Sequence, residues 1–234
     1  LLSRYEYKER NYKEEFSYLE KGHQYYFESN KKFRNEVNYW LNELPKIKKL
    51  ISLNKLKKKT KNNNFKIKPI FIIGVPRCGS TLVEKIIASG EMLIPMGEET
   101  SVLEEFVTIK IMEKKSLNLG KVNEIRNELL NNYKKRGLIS EKSNNTFTDK
   151  SLNNFFFLKF IKEIYPNAKI INCKRDALSS IMSIFQNQLT ELAWAHDLNN
   201  IFKYFDNYFQ IIKNYNEKNY NFVYELQFDK LVNN

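Results

Sequence analysis

A chain of 234 residues can bury one sizeable core with a small accessory segment. Hydrophobic residues at 42% and aromatics at 14% exclude wholesale disorder, and a formal charge of +12 points to anionic ligands: phosphorylated cofactors, acidic substrates or polyanions. Two cysteines, Cys78 and Cys173, exclude a disulfide scaffold, and no window approaches the roughly eighteen apolar residues of a membrane span. No signal peptide is visible, so a soluble, reducing, cytoplasmic setting is expected. Leu1 at the start, and a last residue just past a strand-turn, lead us to expect a piece of something longer, truncated at its C-terminus.

Residues 1 to about 30 read as helical, with Tyr5, Tyr12, Phe16, Leu19 and Tyr26 near helical spacing. Asn11, Tyr12, Phe16, Leu19 and Gly22 resemble the second helix of a tetratricopeptide repeat; a plain amphipathic helix fits equally well. A second helix is predicted over 33–53, kinked at Pro45. The helical segment 1–53 is followed by a linker, 54–68, within a basic run: ten lysines and no acidic residue lie between Lys46 and Lys68. From Pro69 onward strands and helices alternate through 234. Strands are predicted at 69–75, 92–97, 146–150, 168–173 and 222–226. Helices are predicted at 80–89, 98–115, 122–136, 153–165, from the Asp176 cap to 188, and at 198–216. The fold class expected is α/β, a three-layer sandwich around a mainly parallel sheet.

The informative stretch is Pro69–Leu82, PIFIIGVPRCGSTL. An apolar strand without alternation leads into Gly74, four residues, then Gly79, Ser80 and Thr81. That is the frame of a phosphate-cradling P-loop in which Ser80 replaces the usual Lys and a cation stands earlier, at Arg77. Loop N–H groups and the helix N-terminus converge on an anion. Mg²⁺-dependent NTP hydrolysis fits poorly, because the loop Lys is missing and Asp176 follows its strand only after Lys174 and Arg175. Arg175 ends a buried strand, and Ser183 lies eight residues on, about two helical turns; the pair suits a second phosphate, or is a surface cation with an exposed Ser. Cys78 is either a reactive thiol at a helix N-terminus or a packing residue. His196 lies near an acceptor or simply opens a helix beside Asp197. No His or Cys spacing suggests a metal.

GVPRCGSTL, IPMGEET, TDKSLNN, PNAKIINCKRD and the following SIMS together resemble the PAPS-dependent sulfotransferase superfamily, most closely tyrosylprotein sulfotransferases and bacterial sulfotransferases with tetratricopeptide repeats. The resemblance covers roughly Pro69 to Val232. It implies that Arg77, Cys78, Gly79, Ser80, Thr81 and Leu82 hold the 5′-phosphosulfate of PAPS, and that Arg175 and Ser183 hold its 3′-phosphate. It implies Glu98 as catalytic base, with Arg77 and Lys150 stabilising the transferring sulfuryl group, and no metal. One departure is Phe228, where relatives often carry Tyr.

The implied partner is a hydroxyl-bearing acceptor, peptide (a protein tyrosine) or carbohydrate, with no specific nucleic acid, no membrane span in this chain and room for a homodimer. Two other readings stay open: a nucleotide-dependent kinase or NTPase, and a non-enzymatic module binding polyanions through its basic run.

Overall fold

The computed structural model describes residues 2–47, 51–52, 67–90, 93–114, 117–118, 122–139, 145–219 and 222–233. In chain order the elements are α1 (Leu2–Lys8), α2 (Tyr12–Ser29), α3 (Phe33–Asn38), β1 (Ile51–Ser52), β2 (Lys68–Gly74) and α4 (Ser80–Ala88). Then come α5 (Val102–Lys114), β3 (Leu117–Asn118), α6 (Val122–Lys135), β4 (Thr146–Asp149), α7 (Leu158–Ile164) and β5 (Lys169–Lys174). The last are α8 (Ala177–Asn187), α9 (Leu198–Asn216), β6 (Val223–Gln227) and α10 (Phe228–Val232). They fall into two compact units, Leu1–Pro45 with Asp176–Gln210, and Lys46–Arg175 with Ile211–Asn234.

The first unit is helical. The predicted N-terminal helix is broken where Arg10 takes a left-handed φ of 61°, which separates α1 from α2. The helix expected over 33–53 also stops early. Past α3 it widens to a π turn at Tyr39–Glu43 and tightens to a 3₁₀ turn at Leu44–Lys46. Pro45 has no N–H to donate and its ring crowds the preceding turn, so the α ladder cannot continue. Ile51–Ser52 instead pairs in parallel with Leu117–Asn118 within the second unit. The core of the first unit is aromatic: Trp194 stacks on Tyr204 at 3.9 Å, and Phe16 and His23 pack on Phe185. Asp176 caps α8 as expected, its carboxylate accepting from Ser179 N at 2.8 Å.

The second unit is α/β, built on a four-stranded, all-parallel sheet in the order β4-β2-β5-β6. β2 is covered on both faces: Phe71, Ile72 and Ile73 are fully buried, which is why its sequence shows no alternation. A 3₁₀ segment, Leu152–Phe157, precedes α7 and brings Phe155 and Phe157 into this core. Because every strand runs the same way, the turns after β2, β4, β5 and β6 leave from one edge, where open α/β sheets bind ligands.

Three expectations change here. No strand forms over the described part of 92–97. Residues 95–98 lie along β4, with Thr148 N donating to Pro95 O at 3.0 Å and Lys150 N to Glu98 O at 2.7 Å. The acceptors are three residues apart and the donors two, so the register slips by one and a ladder cannot propagate. α5 begins at Val102 rather than Glu98, because Glu98 (φ 50°) and Ser101 (φ 53°) are left-handed. The apolar spacing of α4 predicts Leu82, Val83, Ile86 and Ile87 facing inward, yet Val83 and Glu84 are buried whereas Leu82 and Ile86 are exposed. The predicted linker lies almost wholly outside the described residues.

Candidate active site

Four turns of the second unit meet at the C-terminal edge of its sheet. The turn after β2 carries Arg77 and Cys78 and closes on Gly79, the left-handed N-cap of α4. A Cβ on Gly79 would lie 2.1 Å from the ring of Phe228, so this backbone can approach the ring only as glycine. Gly74 is equally confined: a Cβ there would sit 2.8 Å from Cys173 O and 3.0 Å from Cys78 Sγ. Arg77 holds a left-handed φ of 68°, a strain concentrated where loops bind or react. Its side chain is exposed. Cys78 is fully buried, and the Cys173 thiol donates to Cys78 O at 3.1 Å. That neighbouring thiol is the main influence holding Cys78 below the usual thiol range, against the effect of burial. A side chain this enclosed serves packing, not attack.

Arg175 follows β5 and reaches back to the first turn, its Nη1 donating to Arg77 O at 3.3 Å. The guanidinium lies 5.9 Å from the Phe228 ring centroid, and Nε is 4.0 Å from Asp229 Oδ1. The turn after β6 therefore buttresses both the glycine turn and the Arg. Phe228 fills that place with its ring alone. Lys174, by contrast, is neutralised by Glu225 at 2.5 Å. Ser183 belongs to the first unit, on α8, where its Oγ and carbonyl both accept from Asn187 Nδ2.

The turn after β4 carries Lys150, and the segment before α5 that lies along β4 carries Glu98. Lys150 is buried, and its Nζ pairs with Glu99 Oε1 at 3.1 Å, not with Glu98. Glu98 is exposed; its N–H donates to Glu84 Oε1 at 3.0 Å. Beneath them lies Asp149, fully buried, accepting at Oδ2 from Thr100 Oγ1 (2.8 Å) and Tyr133 OH (2.7 Å). Its Oδ1 accepts from Ser151 N (2.9 Å) and Asn154 Nδ2 (3.2 Å). Burial, then the Asp149 charge, pushes the Tyr133 phenol well above its ordinary range, so it remains a donor at every ordinary pH.

Residues 69–234, about seven-tenths of the chain, match the Sulfotransferase family. This chain belongs to the sulfotransferase family. It is also 26% identical over 181 residues to an uncharacterized protein of Aquifex aeolicus (strain VF5), covering 70% of this chain and 23% of that relative. The chain thus spans under a quarter of that relative's length.

For a sulfotransferase, the structure gathers Arg77, Cys78, Gly79, Ser80, Thr81 and Arg175 around one turn, and Lys150 with the Glu98–Glu99 pair around another. The N–H of Leu82 is used within its own helix, donating to Gly79 O at 3.1 Å. Sequence reasoning missed Glu84, Glu99, Thr148 and Asp149. Asp149 had a readable signal, a carboxylate beside an apolar strand residue in TFTDK; Glu84 was masked by the apolar residues around it. Among the described residues no group of three His, Cys, Asp or Glu could hold a metal, and no helix is long and apolar enough to cross a membrane.

Proposed function

We propose that this sulfotransferase transfers a sulfuryl group from PAPS to a hydroxyl acceptor, with a protein tyrosine as the favoured class. The observation that supports the reading most is the link between Arg175 and the glycine turn, two anion-binding features joined by Nη1–Arg77 O at one sheet edge. When bound, PAPS supplies an activated sulfuryl group on a phosphosulfate. Arg77 and the loop and first-turn N–H groups of residues 79–81 face the phosphosulfate, a role suited to a helix N-terminus. Arg175 anchors the 3′-phosphate; its eight-residue spacing from Ser183 supports a share for that hydroxyl. Lys150 and Arg77 spread the charge that develops on the transferring group, as fixed cations do without reorganising. The acceptor oxygen bonds to sulfur as the sulfur–phosphate oxygen bond breaks, and the acceptor proton passes to a carboxylate.

That carboxylate belongs to the acidic pair. The sequence register names Glu98, whose side chain is exposed. A second reading, favoured by the ion pair with Lys150, names Glu99. Glu98→Gln and Glu99→Gln separate them: the base variant loses kcat, and the other keeps it.

The donor assignment is tested by calorimetry with 3′-phosphoadenosine 5′-phosphate against AMP. We expect the 3′-phosphate to tighten binding by about ten- to a hundredfold, as charged hydrogen bonds do, and Arg175→Ala to erase the gain. Equal affinity for the two nucleotides, or a gain that survives the substitution, would sink the reading. Binding that requires Mg²⁺ and prefers ATP would favour a kinase instead.

A further inference from the structure

Helix α4 leaves the glycine turn with the sequence STLVEKIIA, and the surprise in it is which side chains it buries. Leu82 and Ile86 are 42% and 48% exposed, while Glu84 is 2% exposed. A carboxylate displaces aliphatic residues from a protein interior only where hydrogen bonds replace its water. Glu84 Oε1 accepts two: from Thr148 Oγ1 at 2.6 Å and from Glu98 N at 3.0 Å. Thr148 Oγ1 in turn accepts from Gly97 N at 3.2 Å. Gly97 lies flat on β4, where a Cβ would be 2.1 Å from Thr148 O. Glu98 follows in a left-handed conformation that glutamate adopts only when its surroundings over-determine it. Both backbone N–H groups of the turn are thus tied, directly or through Thr148, to one buried carboxylate on the helix that starts at the glycine turn.

We propose that Glu84 is the positioning residue of sulfuryl transfer. It fixes the left-handed turn at Gly97–Glu98 and thereby the directions in which Glu98 and Glu99 present their carboxylates beside Lys150. A one-residue relaxation of that turn would swing both carboxylates, because a single φ change redirects every side chain after it. The residue works through the backbone of the acidic pair, and the inference rests on the reading of that pair as the source of the base.

The test uses Glu84→Gln and Glu84→Leu in the whole chain. Glutamine keeps a side-chain oxygen that accepts from Glu98 N and Thr148 Oγ1; leucine fills the space and accepts nothing. We expect amide hydrogen exchange at Gly97 and Glu98 to quicken about tenfold or more in the Leu variant, the loss of about one hydrogen bond, while the Gln variant stays near wild type. Amides of β5 should not change in either. Affinity for 3′-phosphoadenosine 5′-phosphate should hold within about twofold in both, while kcat for PAPS consumption falls in Glu84→Leu and recovers in Glu84→Gln, with the KM for PAPS unchanged. Unaltered exchange at Glu98 in the Leu variant overturns the proposal. So does faster exchange spread equally through β5, which would make Glu84 an ordinary core residue. If the wild type binds no 3′-phosphoadenosine 5′-phosphate, the donor assignment falls by itself, and the exchange pattern still decides what Glu84 does.

Discussion

Replacing Asp149 with Ala should cost roughly 3–5 kcal/mol, the largest stability loss we expect from any single substitution in the second unit. The carboxylate is fully buried and collects four donors: Thr100 Oγ1, Tyr133 OH, Ser151 N and Asn154 Nδ2. Alanine strands all four in a site with no room for bulk water, and each orphaned donor keeps its desolvation penalty. Removing a buried charge returns part of that cost, which keeps the figure below the sum of four bonds. Against a typical domain stability of about 5–15 kcal/mol the change is severe, and the thermal midpoint should fall by roughly 10 °C. Asp149→Asn should be milder. Its oxygen still accepts from Ser151 N and Asn154, and its amide can donate to the hydroxyls of Thr100 and Tyr133, which turn to accept. Urea denaturation of the three proteins provides the check: a loss under about 1 kcal/mol in the Ala variant would refute the hub. The functional reach is direct, because Ser151 N–Asp149 Oδ1 sets the turn that aims Lys150 off the end of β4.

What the sequence revealed and what it withheld differ by the range of the interactions involved. Unalternating apolar runs announced β2 and β5, since a strand covered on both faces needs no polar side. Asp176 announced the start of α8, and the Leu198–Asn216 helix was legible to the residue from its aromatic spacing. These are local signals. Glu84 was not legible, because its burial depends on Thr148 and Glu98, fourteen or more positions away, and a charged residue among aliphatics reads as the solvent face. Glu98 and Ser101 were misread as helix because φ above zero leaves no mark when the residue is not glycine. That same left-handed turn decides which of two adjacent glutamates meets Lys150, a question that motif spacing cannot reach. The positions of Arg77, Lys150 and Arg175 at one sheet edge were foreseeable because all three follow strands of a parallel sheet, and parallel strands deliver their ends together. His196 was weighed only as a lone residue, since its partner is 173 positions away.

That partner makes the stability of the first unit depend on pH, in a direction the geometry fixes. His23 Nε2 lies 2.8 Å from Phe185 O, and a carbonyl only accepts, so Nε2 carries the proton. Neutral His23 must then accept at Nδ1, and His196 Nδ1, 3.0 Å away, must donate. This leaves His196 Nε2 unprotonated, buried and without a hydrogen-bond partner among the described residues, beneath the rings of Tyr26 and Phe33. A proton on Nε2 would put a cation among aromatics with no acceptor, and a proton on His23 Nδ1 would oppose the N–H of His196. Burial, with the neighbouring His23 second, lowers the His196 pKa to about 4, and burial lowers that of His23 as well. Both folded-state values lie below the unfolded value near 6.5, so the unfolded chain binds more protons on acidification. The stabilisation is complete above pH ~6.5 and drains away as pH falls toward 4, with roughly 2 kcal/mol lost from His196 between pH 7 and pH 5. The chain's 2 tryptophans, Trp40 and Trp194, both belong to the first unit, so their fluorescence follows its unfolding selectively. Urea titrations at pH 7 and pH 5 should show that loss in the wild type. In His196→Gln, which keeps a donor for His23 Nδ1 but cannot titrate, the pH dependence should flatten to the smaller contribution of His23. An equal slope in both proteins would place the pH sensitivity elsewhere and break the assignment of protons across the pair.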